Sequence, residues 1–279
     1  MSAKQTVVVR RTSHTPTDAL VGEPGLFLPT QRTVINVSCI FTADKEAALS
    51  IGERWREVGY QVNVGGPAFD DPGGEFTPGQ YLRLGITTTS RGCPGQCPFC
   101  YVPKREGRIR ELKVIHSGNI IQDNNLLACS RPHVERVFQM LRSQHRVEFT
   151  GGIDSRLLRD WHVEELRGLR ISKLWMAADS DNAMPFTLKA ISMLRAVGFT
   201  WRKVGVYVLS GYNGEALCKA EDRCRAIFEA GAMPFAMVWD GVVRDKEWRA
   251  FQKFWTRPAA YISSKGDRGR LDGRGKNGV

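Results

Sequence analysis

Residues 81–100 read YLRLGITTTSRGCPGQCPFC. The mostly apolar run from Tyr81 to Thr88 predicts a strand, which passes through Thr89-Ser90-Arg91 into a loop bearing Cys93, Cys97 and Cys100. Gly92, Pro94, Gly95 and Pro98 surround the sulfurs and predict tight turns. Three of the seven cysteines thus fall within eight positions, spaced C-x3-C-x2-C. Thiolates bind soft metals, so three on one short loop can hold a compact inorganic centre. A closed zinc site or a ferredoxin-type cluster would want a fourth ligand at ordinary spacing. The next candidates, His116 and Cys129, are well downstream. Three ligands without a fourth describe a centre with one open coordination position, which catalysis requires. The scattered Cys39, Cys129, Cys218 and Cys224 read as small buried thiols.

Downstream of this loop, strand and helix patterns alternate. Apolar runs predict strands at 118–122, 147–150, 173–178, 203–209 and 233–239, and helical spacing fills 131–143, 155–168, 184–197, 214–230 and 244–256. Six βα units imply an α/β fold, either an open doubly wound sheet or a partial barrel. Both place a site at the C-terminal strand ends. Polar residues stand there: Asp123-Asn124-Asn125, Gly151-Gly152-Ile153-Asp154, Asp179-Ser180-Asp181 and Ser210-Gly211-Tyr212-Asn213.

Upstream, Val7 to Val9 has strand character, and Thr33–Phe41, Asp44–Val58 and Tyr60–Val64 read as one βαβ-like unit. By itself such a unit is too small to bury a core. A turn-rich linker covers 68–80. The expected organisation is therefore an N-terminal extension over 1–80, a core over 81–257 and a basic, Gly-rich, disordered tail over 258–279.

With 279 residues, 42% hydrophobic and 25% charged, the chain has ordinary globular composition, so wholesale disorder is excluded. Apolar stretches are too short to span a bilayer, and no secretory signal is read at the N-terminus, so a reducing cytoplasm is expected. The net charge of +11 favours an anionic partner without naming one.

The segment Cys93-x3-Cys97-x2-Cys100, with Phe99 before the last sulfur, resembles the signature of the radical S-adenosylmethionine (SAM) enzymes. The resemblance covers about 81–257. It implies a partial (β/α)6 TIM-like barrel, a [4Fe–4S] cluster on the three cysteines and SAM on the remaining iron. It also implies reductive cleavage of SAM to a 5′-deoxyadenosyl radical that abstracts a substrate hydrogen, and an electron donor such as flavodoxin or ferredoxin. Carried onto this sequence, it implies that Phe99, Asp123, Asn124, Asn125, Gly151, Gly152, Asp154, Asp179, Leu209 and Gly211 bind the cofactor. The SAM amino group falls to Asp123–Asn125 or, should the strands be counted one off, to Gly151-Gly152 and Asp154. Residues 208–215 resemble a fifth-strand motif that packs on adenine. The wider pattern is similar to a little-characterised subgroup and names neither a substrate nor catalytic residues.

The N-terminal βαβ segment resembles the end of a cobalamin-binding domain. His14 has neither Asp two residues before it nor Gly three after, so cobalamin is not expected. Lys104-Arg105, Arg108, Arg110 and Lys113 form a basic run behind the cluster loop, offset by Glu106 and Glu111. With the +11 charge they lean the substrate towards nucleic acid or a phosphorylated small molecule. The competing reading is a non-catalytic nucleic-acid-binding protein with a structural, Cys-ligated metal.

Overall fold

The computed structural model describes residues 3–263 of the chain. The protein is a mixed α/β structure whose sheets are chiefly parallel, in two compact units that divide between Gly152 and Ile153.

The first unit begins with a parallel sheet of order β2-β1-β3-β4, formed by β1 (Lys4–Val8), β2 (Leu20–Val21), β3 (Val34–Ser38) and β4 (Val62–Gly65). Helix α1 (Lys45–Glu57) presents Ala48, Ile51, Gly52 and Trp55 at helical spacing and buries them. With Val7, Ile35, Val37 and Tyr60 they make a separate core. The βαβ unit does not bury this core by itself, since β1 and residues outside the unit contribute to it. Strand β1 adds Val7 beside Val37, and Trp55 donates its indole N–H to the Gly22 carbonyl. The irregular chain before β3 thus covers the helix.

Three further parallel strands, β5 (Ile86–Thr87), β8 (Ile120–Ile121) and β9 (Val147–Phe149), run in the order β5-β8-β9. Between β5 and β8 the chain makes an antiparallel pair, β6 (Ser90–Arg91) with β7 (Arg110–Glu111), and the one-turn helix α2 (Val102–Arg105). Helix α3 (Arg131–Arg142) is capped by the Ser130 hydroxyl, which accepts from the His133 N–H. Its apolar face, Val134, Val137, Phe138 and Leu141, is buried, with Phe138 edge-on to Phe149.

The second unit holds the parallel strands β10 (Ile171–Ala177), β11 (Val204–Ser210) and β12 (Met233–Val238). Its helices are α4 (Asp160–Arg167), α5 (Met184–Ala196), α6 (Leu217–Ala230) and α7 (Lys246–Trp255). Leu174, Met176, Val204, Val206, Val208 and Ala236 are buried, as are Ile191, Leu194, Cys224 and Ile227 of the helices. Alternate positions carry Trp175 stacked on Tyr207, with Phe235 edge-on to both. Residues 258–263 are helical, and Tyr261 is buried against Trp255 and Phe228. The stretch expected to be disordered from 258 therefore begins ordered, because Tyr261 supplies an apolar anchor; the rest of that tail, 264–279, lies outside the described residues.

No helix among the described residues is long and apolar enough to cross a membrane.

Candidate functional site

Strands β6 and β7 turn the cysteine segment into a hairpin, with Ser90 opposite Glu111 and Arg91 opposite Arg110. The Cys93 N–H closes it by donating to the Gly107 carbonyl at 3.1 Å. Gly92 has φ +76°, and a Cβ there would run into the Arg108 carbonyl, so only glycine permits this closure. Inside the loop the Cys100 N–H donates to the Cys97 carbonyl at 3.0 Å, and the Gly95 N–H points to the Cys93 sulfur at 3.4 Å. Cys93, Cys97, Phe99 and Cys100 are all partly buried.

All three residues of Asp123-Asn124-Asn125 fasten this hairpin. Asp123 is buried, and its carboxylate accepts from the Thr89 N–H at 2.6 Å, the Thr89 hydroxyl at 2.6 Å and the Ser90 hydroxyl at 2.7 Å. Burial pushes its pKa above the carboxylate range, and the Thr89 and Ser90 donors oppose that shift. Asn124 donates to Glu106 Oε2 at 2.6 Å, and the same oxygen accepts from the Gly92 N–H at 3.0 Å. Arg105 pairs with the other oxygen of Glu106 at 2.7 Å. Asn125 donates to the Cys93 sulfur at 3.5 Å. Gly152, with φ +79°, lies behind this segment, and a Cβ on it would stand 2.6 Å from the Asp123 carbonyl. Gly151 has more room, 3.8 Å from that oxygen. Thus Asp123, Asn124, Asn125, Gly151 and Gly152, assigned from sequence to two strand ends, meet within the first unit.

A buried polar chain supports them. Thr89 spends its hydroxyl proton on Asp123, so it accepts from His133 Nε2 at 3.2 Å, and Arg136 donates to His133 Nδ1 at 3.3 Å. That pattern holds His133 as the neutral Nε2–H tautomer. Burial lowers its pKa, against the raising influence of Glu111 and Asp123. For Glu111 burial alone would raise the pKa; hydrogen bonds from the Ser130 N–H and hydroxyl, with the Arg136 charge nearby, bring it below the usual value. Cys129 bonds to Ser90, and burial pushes its thiol up to about 12, so it stands as a neutral thiol.

The remaining expected residues lie in the second unit. Asp154 holds Arg156 in a two-point pair, at 2.8 Å to Nε and 2.6 Å to Nη2. Asp179, just past β10, accepts from the Leu209 backbone; burial raises its pKa to about 6, against the lowering influence of Arg223 and Arg156. Gly211 takes φ +80°, and its N–H donates to Glu215 Oε2 at 3.0 Å. Glu215 also pairs with buried Arg223, which reaches Asp181 at 3.0 Å and the Leu209 carbonyl at 2.8 Å. Leu209, Gly211 and Asp179 therefore share one polar network built around Arg223.

Thr89 and Ser90 stand among the polar strand ends that the sequence marks, whereas the roles of Glu106, His133 and Arg223 are not read from it. Glu106 had a signal: it is an acid set inside a basic run, and the structure uses it to hold the hairpin. Of that run, Arg105 pairs with Glu106 and Arg110 reaches the Gly73 carbonyl at 2.9 Å, whereas Lys104, Arg108 and Lys113 are exposed.

The donor chemistry of the hairpin fits an iron–sulfur cluster: three thiols on one loop, one sulfur already receiving N–H donors of the kind that tune cluster potentials. Among the described residues no three His, Cys, Asp or Glu side chains are gathered as a metal-holding group, so the three sulfurs share a loop without a common centre. Compared with models of known protein families and with curated proteins, the chain matches none.

Proposed function

We propose that the chain is a radical SAM enzyme whose [4Fe–4S] cluster is held by Cys93, Cys97 and Cys100. The observation that carries this reading is the fastening of the cysteine hairpin by Asp123, Asn124 and Asn125. Cys93, Cys97 and Cys100 would hold the cluster, which would supply the electron for reductive cleavage of SAM and so the means of hydrogen abstraction from a substrate. On this reading the chain's own residues do the following. Thr89, Ser90, Glu106 and Asn124 hold the hairpin ends, and Asn125 and the Gly95 N–H donate to the first thiol. Asn124 and Asn125 with Gly151 and Gly152 would line the methionine side of the cofactor, while Asp123, buried with both oxygens engaged by Thr89 and Ser90, positions them. Asp154, Asp179, Leu209 and Gly211 of the second unit are the further residues that the resemblance assigns to the cofactor, and Phe99 directly precedes the last sulfur.

The reading brings with it a partial (β/α)6 barrel, a cytoplasmic location and an electron donor such as flavodoxin or ferredoxin. The +11 charge and exposed Lys104, Arg108 and Lys113 favour a nucleic acid or phosphorylated small molecule as substrate. Metal binding would draw the three sulfurs together, as ligand loops commonly order on their metal. Anaerobic reconstitution with iron and sulfide tests the reading. A brown protein with broad visible absorption that forms 5′-deoxyadenosine from SAM on reduction supports it. A colourless zinc protein without that product refutes it and leaves the structural-metal alternative.

A further inference from the structure

We infer that the second unit carries a separate binding site for a nucleotide, between the 155–161 segment and α5. A cavity of about 610 Å³ opens there, within the range of small-molecule sites. Its α5 wall is the stripe Phe186, Lys189, Ala190 and Met193, at positions i, i+3, i+4 and i+7. Helix α5 buries Thr187, Ala190, Ile191 and Leu194, so this stripe borders the buried face, shares Ala190 with it and turns Phe186 and Lys189 outward. Phe186 is 48% exposed on it, a large ring left to solvent. The facing wall contributes Arg159, Trp161 and the single carboxylate Asp160. The floor is fixed by the Ser155 and Thr187 hydroxyls, 3.2 Å apart.

The charge of this lining selects the ligand. Arg156 is already balanced by Asp154. Arg159 donates to the Arg156 and Leu158 carbonyls at 2.9 and 3.1 Å, so its charge meets no carboxylate among the described residues. Lys189 is exposed and has no ion-pair partner among them. Two cations against Asp160 leave net positive charge beside two aromatic rings. That combination suits a phosphate joined to a flat aromatic base: ammonium and guanidinium take the phosphate, and the rings take the base. A free mononucleotide and a nucleotide within a single strand share this chemistry. The site depends on no metal, and its one link to the Arg223 network is Arg156, whose charge acts on Asp179, so metal loading and AMP binding are read separately.

Titration calorimetry of the full chain with AMP, adenosine, ribose 5-phosphate and an oligothymidylate tests the site. AMP should bind about tenfold or more tightly than either adenosine or ribose 5-phosphate, the value of one charged hydrogen bond or one stacked base. Lys189→Glu and Phe186→Ser, both at exposed positions, should each weaken AMP about tenfold without moving the melting temperature. An oligonucleotide that outbinds AMP and is weakened by the same two changes assigns the single-strand source; AMP binding as well or better assigns the free nucleotide. Absence of binding by AMP and oligonucleotide at millimolar concentration overturns the inference. So does affinity that survives both changes, or that is lost through Asp179→Asn but not Lys189→Glu.

Discussion

The amide of Asn125 donates to the sulfur of Cys93 at 3.5 Å. The polar segment that follows β8 is thereby joined to the first thiol of a hairpin 32 residues earlier in the chain. Asp123 does the same for the strand that enters the hairpin, and Asn124 for the carboxylate that closes it. Three consecutive side chains thus fasten the base of the cysteine hairpin and its first thiol, and that base should loosen when any support is withdrawn.

Gly152 and Gly151 make a matched test of that support. Gly152→Ala places a Cβ 2.6 Å from the Asp123 carbonyl at φ +79°, and should cost about 2 kcal/mol or more. Gly151→Ala meets nothing nearer than 3.8 Å and should fall within about 0.5 kcal/mol of the parent. Urea unfolding of both variants reads the difference; equal stabilities would contradict the packing described.

Glu106 is the hairpin's latch. Glu106→Ala strands the Gly92 N–H and the Asn124 amide, at about 1–3 kcal/mol. Hydrogen exchange should speed up across 92–109 while α3 stays protected. Uniform acceleration through both would mean that Glu106 supports the fold rather than the loop.

Arg223 should matter for stability wherever the substrate binds. Its guanidinium is 4% exposed among Glu215, Asp181 and the Leu209 carbonyl. Arg223→Met leaves Glu215 poorly solvated and should cost about 3 kcal/mol, or roughly 6–12 °C in melting temperature. Arg223→Lys should recover little, because one ammonium cannot span acceptors spread over that fork. Full recovery by lysine would show that charge alone suffices.

Asp179 sets a pH dependence whose sign follows from its burial. Raised to about 6 in the folded chain from about 3.9 when unfolded, it favours folding fully only below about pH 4. That contribution is lost as pH rises through 6. Asp179→Asn should therefore be more stable than the parent at pH 8, by on the order of 2 kcal/mol, with the gap closing below pH 4. A variant less stable than the parent at pH 8 would reverse the assignment. Melting curves between pH 4 and 8 decide it.

The long elements were legible in the sequence because their periodicity runs over enough residues. The apolar run around Val204–Ser210 and the helix spacing of Lys45–Glu57 came out within a few residues of their expected bounds. The run from Tyr81 to Thr88 was read as one strand, yet only Ile86–Thr87 pairs. Arg83 turns away, with its backbone N–H bonded to the His14 carbonyl and its side chain to that of Ser13. The helix expected over 155–168 starts at Asp160, because Asp154 accepts from the Arg156 N–H and holds a turn there. Strands β6 and β7 have two residues each and show no alternation to detect, so the hairpin around the cysteines was invisible. Asp123, Asn124 and Asn125 were found because strand ends gather polar groups. The role of His133 has no local sequence signal, because its partner Thr89 lies 44 residues away.

The most direct measurement is electron paramagnetic resonance of the anaerobically reconstituted, reduced protein, recorded with and without SAM. The account predicts a cluster signal that shifts when SAM is added, and no signal from Cys97→Ala. A signal that SAM leaves untouched, or one that Cys129→Ser abolishes, would show the fourth position filled by the chain itself and contradict it.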